Sequence, residues 1–312
     1  MNTTTSDSAS SSVQLDVVRC QPTIGAEIRG LDLARPLTAE VFKAVYDALL
    51  EYKIIFFRDQ HITSEQQIAF GQQFGPLETN PFRPQGKGKP ELQIVKNDKD
   101  HPVLSTDVWH ADLTFRKKPT KFTVLRCLEI PDRGGDTLWA DMCAAYDGLS
   151  DSLREYITGL SAIHDFKNFR ILYTGDPAKR EELHRMEDRF PNPTHPVVIT
   201  HPETLQRVLF VNRQFTLRIT GMPDDESRQL LDVLYDQARV PEYQFRLKWQ
   251  PGTLAVWDNR SCQHYAVNDY YPNRRHMERV AVEGDAEPRF DPAARPARQY
   301  ASVKRVHAFD GS

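Results

Sequence analysis

Val108-Trp109-His110-Ala111-Asp112-Leu113-Thr114-Phe115 is the stretch from which the reading starts. His110 is the only one of the ten histidines with an aspartate two residues further on. In an extended chain, residues i and i+2 point to the same side. An imidazole and a carboxylate at that spacing can close on one metal ion. Two protein ligands hold a reactive metal poorly, so a third is expected from elsewhere. The best candidate is His264, in Trp257-Asp258-Asn259-Arg260-Ser261-Cys262-Gln263-His264-Tyr265-Ala266.

Two histidines and one carboxylate on one face of an octahedron, with the opposite positions open, form the ligand set of non-haem Fe(II) oxygenases. A lone His-x-Asp triplet also arises by chance, as a surface ion pair or as a histidine bonded to a backbone carbonyl. The flanking residues decide between these readings. Trp109-His110-Ala111-Asp112-Leu113-Thr114-Phe115, Gly134-Gly135-Asp136-Thr137-Leu138-Trp139, Trp257-Asp258-Asn259-Arg260 and Gln263-His264-Tyr265-Ala266 together resemble the TauD/TfdA family of 2-oxoglutarate-dependent dioxygenases. The resemblance runs from about Val13 to Glu283, in the right order and spacing.

The 312 residues are enough for one large domain or two small ones. A net charge of -3, with 40 Lys plus Arg against 43 Asp plus Glu, gives no bulk electrostatic signal for nucleic acid or a membrane surface. No run of about 18 apolar residues is present. Met1-Asn2-Thr3-Thr4-Thr5-Ser6-Asp7 has neither a basic nor an apolar leader region. Cys20, Cys127, Cys143 and Cys262 form no Cys-x-x-Cys pair, which argues against zinc or thioredoxin-like chemistry and suits a reducing cytoplasm.

Residues 1 to about 12 are Ser/Thr-rich and are expected to be disordered; residues 13–312 are expected to form one domain, with a surface tail from about 285. Strands are expected at Val13 to Val18, Ile24 to Ile28 and Ile54 to Phe57, the last buried on both faces. A helix capped by Thr38 carries an apolar stripe of Val41, Phe42, Val45, Ala48 and Leu49. Thr63 and Gln66 make a capping box for a second helix, stopped by Gly75-Pro76. The Pro/Gly-rich loop near 80–90 suits an active-site lid or an ordinary surface loop.

Further strands are expected at Leu92 to Val95, Phe122 to Leu128, Thr137 to Ala140, Val197 to Thr200 and Val208 to Val211. The C-terminal half adds Tyr243 to Trp249, Thr253 to Trp257 and Met277 to Glu283. Residues 141–160 read as helical, and Asn168 to Thr194 as an insertion with helical parts. Asp224 to Arg239 reads as a helix with Leu230, Leu231, Val233 and Leu234 on its apolar side. This is an α+β chain with a mainly β core, a sandwich carrying helices. The resemblance sharpens it to a double-stranded β-helix, or jelly roll, with flanking helices and insertions.

What else the resemblance implies concerns chemistry. Fe(II) is held by His110, Asp112 and His264. 2-Oxoglutarate chelates two open positions, O2 takes the third, and succinate and CO2 are released as the substrate is oxidised, most simply by hydroxylation. Arg275 sits where the family places the arginine that forks onto the distal carboxylate of 2-oxoglutarate, and Thr137 matches the threonine that assists it. Arg279 matches the arginine that grips the sulfur oxyanion of sulfonate and alkyl-sulfate substrates. On an extended segment Arg275, Met277 and Arg279 face the same way, and two guanidiniums in one pocket are costly unless each meets an anion.

Taurine enzymes of the family use a His-Pro-x-Tyr segment and an asparagine shortly before Trp-His. This chain has Asn80-Pro81-Phe82-Arg83, with Thr106 near the asparagine position, while Phe215 and Trp257 match apolar pocket walls. The expected substrate is therefore a sulfonate, sulfate ester or carboxylate with an apolar body, and not taurine. The family also implies a homodimer or tetramer. The competing reading is a non-catalytic jelly roll that binds a small molecule or metal. A zinc hydrolase shares the ligand types but leaves Arg275 unexplained.

Overall fold

The computed structural model describes residues 13–79, 88–99, 107–166 and 177–294. β1 (Asp16–Arg19) and β2 (Ala26–Arg29) form an antiparallel pair, and β2 then runs parallel to β3 (Ile54–Phe57). Between them lies α1 (Ala39–Tyr52), whose first turn is closed by the Thr38 hydroxyl accepting from the Val41 amide. α2 (Ser64–Gln72) has both halves of the expected capping box, Thr63 to the Gln66 amide and Gln66 back to the Thr63 amide. β4 (Gln93–Asn97), β5 (Phe122–Glu129) and β6 (Thr137–Asp141) follow.

Residues 141–160 are helical as expected, in two helices, α3 (Met142–Asp147) and α4 (Asp151–Ile157). The break is at Gly148, where a Cβ would lie 1.8 Å from the Tyr243 hydroxyl, so the close approach requires glycine. β7 (Ser161–His164), α5 (Pro177–Arg189), β8 (Thr194–Pro196), β9 (Val198–Thr200), β10 (Arg207–Leu209) and β11 (Thr216–Ile219) come next. α6 (Asp224–Tyr235) tightens into a 3-10 turn at Asp236–Arg239. Its apolar side is narrower than expected: Leu231 and Leu234 are buried, whereas Val233 is 50% exposed. The chain closes with β12 (Gln244–Leu247), β13 (Leu254–Asp258), β14 (Cys262–Ala266) and β15 (Arg275–Val282).

A seven-stranded sheet runs β1-β2-β3-β13-β5-β15-β4, and a three-stranded sheet runs β12-β6-β14. The central strands of the large sheet are buried on both faces, and alternate residues serve two different cores. Val124, Leu254, Val256, Val280 and Val282 pack outward with α1 and α2, around Phe70 and Phe74. Leu125, Cys127, Ala255, Trp257 and Met277 pack inward with Trp139, Phe245 and Cys262 of the small sheet. A third core joins α3, α4 and α6 to β9, β10 and β11. Residues 285–294 lie against the surface, with Asp285 on Lys121, Asp291 on Thr200 and Phe290 beneath Arg207.

Among the described residues no helix is long and apolar enough to cross a membrane. Cys127, Cys143 and Cys262 are buried free thiols, and burial pushes the Cys127 thiol up to about 11.

Candidate active site

The ligand candidates come together at one end of the inward core. His110 and His264 sit opposite each other in an isolated antiparallel bridge. The His110 amide donates to the His264 carbonyl at 3.0 Å, and the His264 amide returns the bond at 2.7 Å. This backbone pair brings the two rings to 4.1 Å between centroids. The extended geometry expected across His110-Ala111-Asp112 holds only as far as that bridge. Asp112 opens a turn, and Leu113 adopts the left-handed conformation with φ 50. For a branched residue that strain persists only where the surroundings fix it. Here the Arg116 amide closes the turn onto the Leu113 carbonyl at 2.9 Å, and Leu113 itself is buried.

One ligand atom from each of His110, Asp112 and His264 lies within 4.8 Å of the others, and all three residues are buried. His110 Nδ1 is 2.7 Å from the Val108 carbonyl, which can only accept, so Nδ1 carries the proton and Nε2 is left with its lone pair. Burial holds the His110 imidazole below its ordinary pKa, and Asp112 offsets this only in part. Burial, then the neighbouring His110, lowers His264 further. His264 Nδ1 is buried without a hydrogen-bond partner among the described residues, and Nε2 lies 3.9 Å from Asp112 Oδ1. Burial alone would raise the Asp112 carboxyl, but the Arg279 guanidinium and the two imidazoles outweigh it, and the carboxyl stays well below its usual range. Two neutral imidazoles and an ionised carboxylate, converging without protons between them, are a donor set that fits a divalent metal.

Around this set the carboxylate is tightly held. Thr123 Oγ1 donates to Asp112 Oδ2 at 2.6 Å, and Arg279 Nη2 reaches the same oxygen at 2.9 Å. Asn259 Oδ1 accepts from the Asp112 amide and from Trp257 Nε1, both at 3.1 Å. Trp257 packs on the His264 ring at 4.8 Å, and Phe215 meets His110 edge-on at 6.3 Å. Both expected wall residues therefore touch the ligand histidines.

β15 supplies the two arginines. Met277 between them lies in the inward core, while Glu278 is bonded to Ser64 and Arg126 on the other side. Arg275 is buried, donates Nε to the Gly135 carbonyl at 3.1 Å and has its pKa lowered by burial. Among the described residues no carboxylate forms an ion pair with it. A buried guanidinium in that state is costly until an anion arrives. Thr137 is buried two residues beyond Gly135, its hydroxyl accepting from Trp249 Nε1 at 2.9 Å. Arg279 also donates Nη1 to Gln93 Oε1 at 2.9 Å. Asn80, Arg83 and Thr106 lie outside the described residues, as do residues 80–87 of the loop near 80–90.

Sequence reasoning missed Thr123, Gln93 and the Val108 carbonyl, and quoted Asn259 without giving it a role. Thr123 carried a signal: it is the polar residue at the inward positions of a strand whose next inward residues are Leu125 and Cys127.

The family model described as "Taurine catabolism dioxygenase TauD, TfdA family" matches residues 16–281. An alkylsulfatase of Acinetobacter baylyi is 35% identical over 277 residues, covering 87% of this chain and 86% of that protein. An alpha-ketoglutarate-dependent sulfate ester dioxygenase of Pseudomonas putida is 35% identical, covering 88% of this chain and 91% of its own. The crystal structure of a taurine dioxygenase from Burkholderia xenovorans superposes with a TM-score of 0.75 at 33% identity, over 90% of this chain and 93% of that one.

Proposed function

The chain belongs to the TauD, TfdA dioxygenase family, and we propose that it uses the site just described to oxidise a small organic anion with Fe(II), 2-oxoglutarate and O2. The observation that carries the reading is the buried convergence of His110, Asp112 and His264 beside two arginines on β15. We read the facing large and small sheets as the double-stranded β-helix of the family, with residues 13–312 as one domain.

Iron and 2-oxoglutarate supply the oxidising power: the cosubstrate loses CO2 and becomes succinate, one oxygen atom of O2 entering succinate and the other the substrate. The chain supplies position. His110, Asp112 and His264 would hold the metal and leave it open to the cosubstrate and O2. Arg275 offers a buried guanidinium, with no carboxylate partner among the described residues, to the distal carboxylate of 2-oxoglutarate, beside Thr137. Arg279 presents a guanidinium at the metal carboxylate itself, where it can grip an anionic substrate group. Trp257 and Phe215 wall the histidines with apolar rings.

The substrate class follows from Arg279 and these apolar walls: a sulfonate, sulfate ester or carboxylate with an apolar body. The two curated relatives described above act on sulfate esters or are named for alkyl sulfate cleavage. Asn80-Pro81-Phe82-Arg83 and Thr106, in place of the residues that meet the taurine amine, direct the reading away from taurine. The test is succinate formation from 2-oxoglutarate with Fe(II) over a panel of alkyl sulfates, sulfonates, aryl and alkyl carboxylates and taurine. Substrate-dependent succinate from an apolar anion, with taurine poorer, is the expected result. Succinate from none of them would favour the non-catalytic binding reading.

A further inference from the structure

We propose that Thr123 and Asn259 are positioning residues that confine Asp112 to ligating the metal through Oδ1 alone; the proposal rests on the dioxygenase reading above. The hydrogen bonds among these three residues have one consistent direction. An ionised carboxylate only accepts, so the single Thr123 proton goes to Asp112 Oδ2, at 2.6 Å, a length in the range of a charge-assisted bond. The Thr123 oxygen then accepts from Asn259 Nδ2 at 3.1 Å. The Asn259 amide has no freedom to turn over, because its Oδ1 already receives two N–H donors, from Asp112 and Trp257. Asn259 thus pins the backbone of Asp112 directly and its side chain through Thr123.

The fold keeps this arrangement dry and rigid. Thr123 on β5 lies in register with Trp257 on β13 and Ala281 on β15, and it is fully buried. Asn259 is 3% exposed, so no solvent replaces a lost partner. Asp112 Oδ2 is occupied by Thr123 and Arg279, while Oδ1 is the oxygen turned toward His264 Nε2. The chemistry needs that asymmetry. On a six-coordinate ion held by three protein atoms, three positions would remain for the cosubstrate and O2. A carboxylate free to rotate and bind through both oxygens would occupy one of them.

The test uses Co(II) as the probe metal, with 2-oxoglutarate titrated by calorimetry under argon, in the wild type and in Thr123→Val, Thr123→Ser and Asn259→Asp. Thr123→Val keeps the shape and removes the proton. Asn259→Asp keeps the shape and puts an acceptor where Nδ2 was, so that the Thr123 proton is drawn away from Asp112. Both are expected to change the Co(II) d–d spectrum and to weaken 2-oxoglutarate binding by about tenfold or more, the lower end of what partners of metal ligands contribute. Thr123→Ser is expected to restore the wild-type spectrum. A merely structural role would lower the melting temperature and leave the spectrum alone. If folded Thr123→Val and Asn259→Asp keep the wild-type spectrum and affinity, the proposal is overturned while the dioxygenase reading stands; should Thr123→Val not fold, Asn259→Asp decides. A wild type that binds neither Co(II) nor 2-oxoglutarate overturns both.

Discussion

Arg279 Nη2 lies 2.9 Å from Asp112 Oδ2, so the guanidinium assigned to the substrate's anion also holds a candidate metal ligand. A substrate oxyanion arriving at Arg279 shares it with the carboxylate of Asp112. Arg279→Ala is therefore expected to suppress substrate-dependent succinate formation far more than it weakens 2-oxoglutarate binding, because Thr123 still holds Asp112 Oδ2. The loss is about 1.5–3 kcal/mol, the range for hydrogen bonds to charged groups, or at least tenfold in kcat/KM. Normal turnover of the best panel substrate by the variant would remove Arg279 from the substrate site.

Arg275 has no carboxylate partner among the described residues, and its Nε is engaged by the Gly135 carbonyl. Arg275→Lys keeps the charge and loses the two-pronged geometry. Affinity for 2-oxoglutarate is expected to fall by about 1.5–3 kcal/mol, seen in a titration of the metal-loaded protein. An unchanged titration would place the distal carboxylate elsewhere.

Lys53 and Asp141 form an ion pair at 3.1 Å with side chains 1% and 2% exposed. The pair ties the end of α1 to the start of α3, where Asp141 Oδ1 caps the Cys143 and Ala144 amides. Removing one partner strands the other charge in the interior, so Lys53→Met is expected to cost about 3–5 kcal/mol in urea unfolding. Lys53→Met with Asp141→Asn removes both charges, keeps the cap and should regain much of the loss. A single variant within about 0.5 kcal/mol of wild type would show that the pair contributes little.

His201 gives the stability a pH dependence of known sign. Its Nδ1 accepts from the Glu203 and Thr204 amides, and its Nε2 lies 3.0 Å from Asp258 Oδ2, so the ring is held neutral. Burial lowers its pKa despite Asp258, whose charge Arg260 already balances. Below about pH 6.5 the unfolded chain therefore binds a proton that the folded chain refuses. The stability this residue contributes is intact above that pH and lost as pH falls toward its folded pKa. Metal-free protein should lose urea resistance between pH 7.5 and 5.5, and His201→Gln should reduce the slope. An identical slope in the variant would assign the effect to other histidines.

Much of the scaffold was legible because local rules and tertiary packing agree there. Thr38 and Thr63 open the helices they were expected to open, and Ile54–Phe57 is buried on both faces. The metal candidates were legible from residue type and spacing, although the backbone reason differs: a two-residue bridge and a strained turn, not a strand, bring Asp112 to His110. β7, β8, β11 and β14 were missed because they are short and pattern poorly. β14 is the instructive case: Cys262-Gln263-His264-Tyr265-Ala266 lacks a clean alternation because Gln263 is used to hold the Val211 carbonyl at 2.7 Å and His264 faces the site. The helix break at Gly148 depended on Tyr243, a contact no local pattern shows.

The most direct measurement is the visible difference spectrum on adding Fe(II) to the anaerobic protein with 2-oxoglutarate. The wild type should develop a weak charge-transfer band that saturates at one iron per chain, and His110→Ala and His264→Ala should abolish it together with succinate formation. Full-strength colour and turnover in either variant, or no band in the folded wild type, would contradict the assignment of His110, Asp112 and His264 as the iron site.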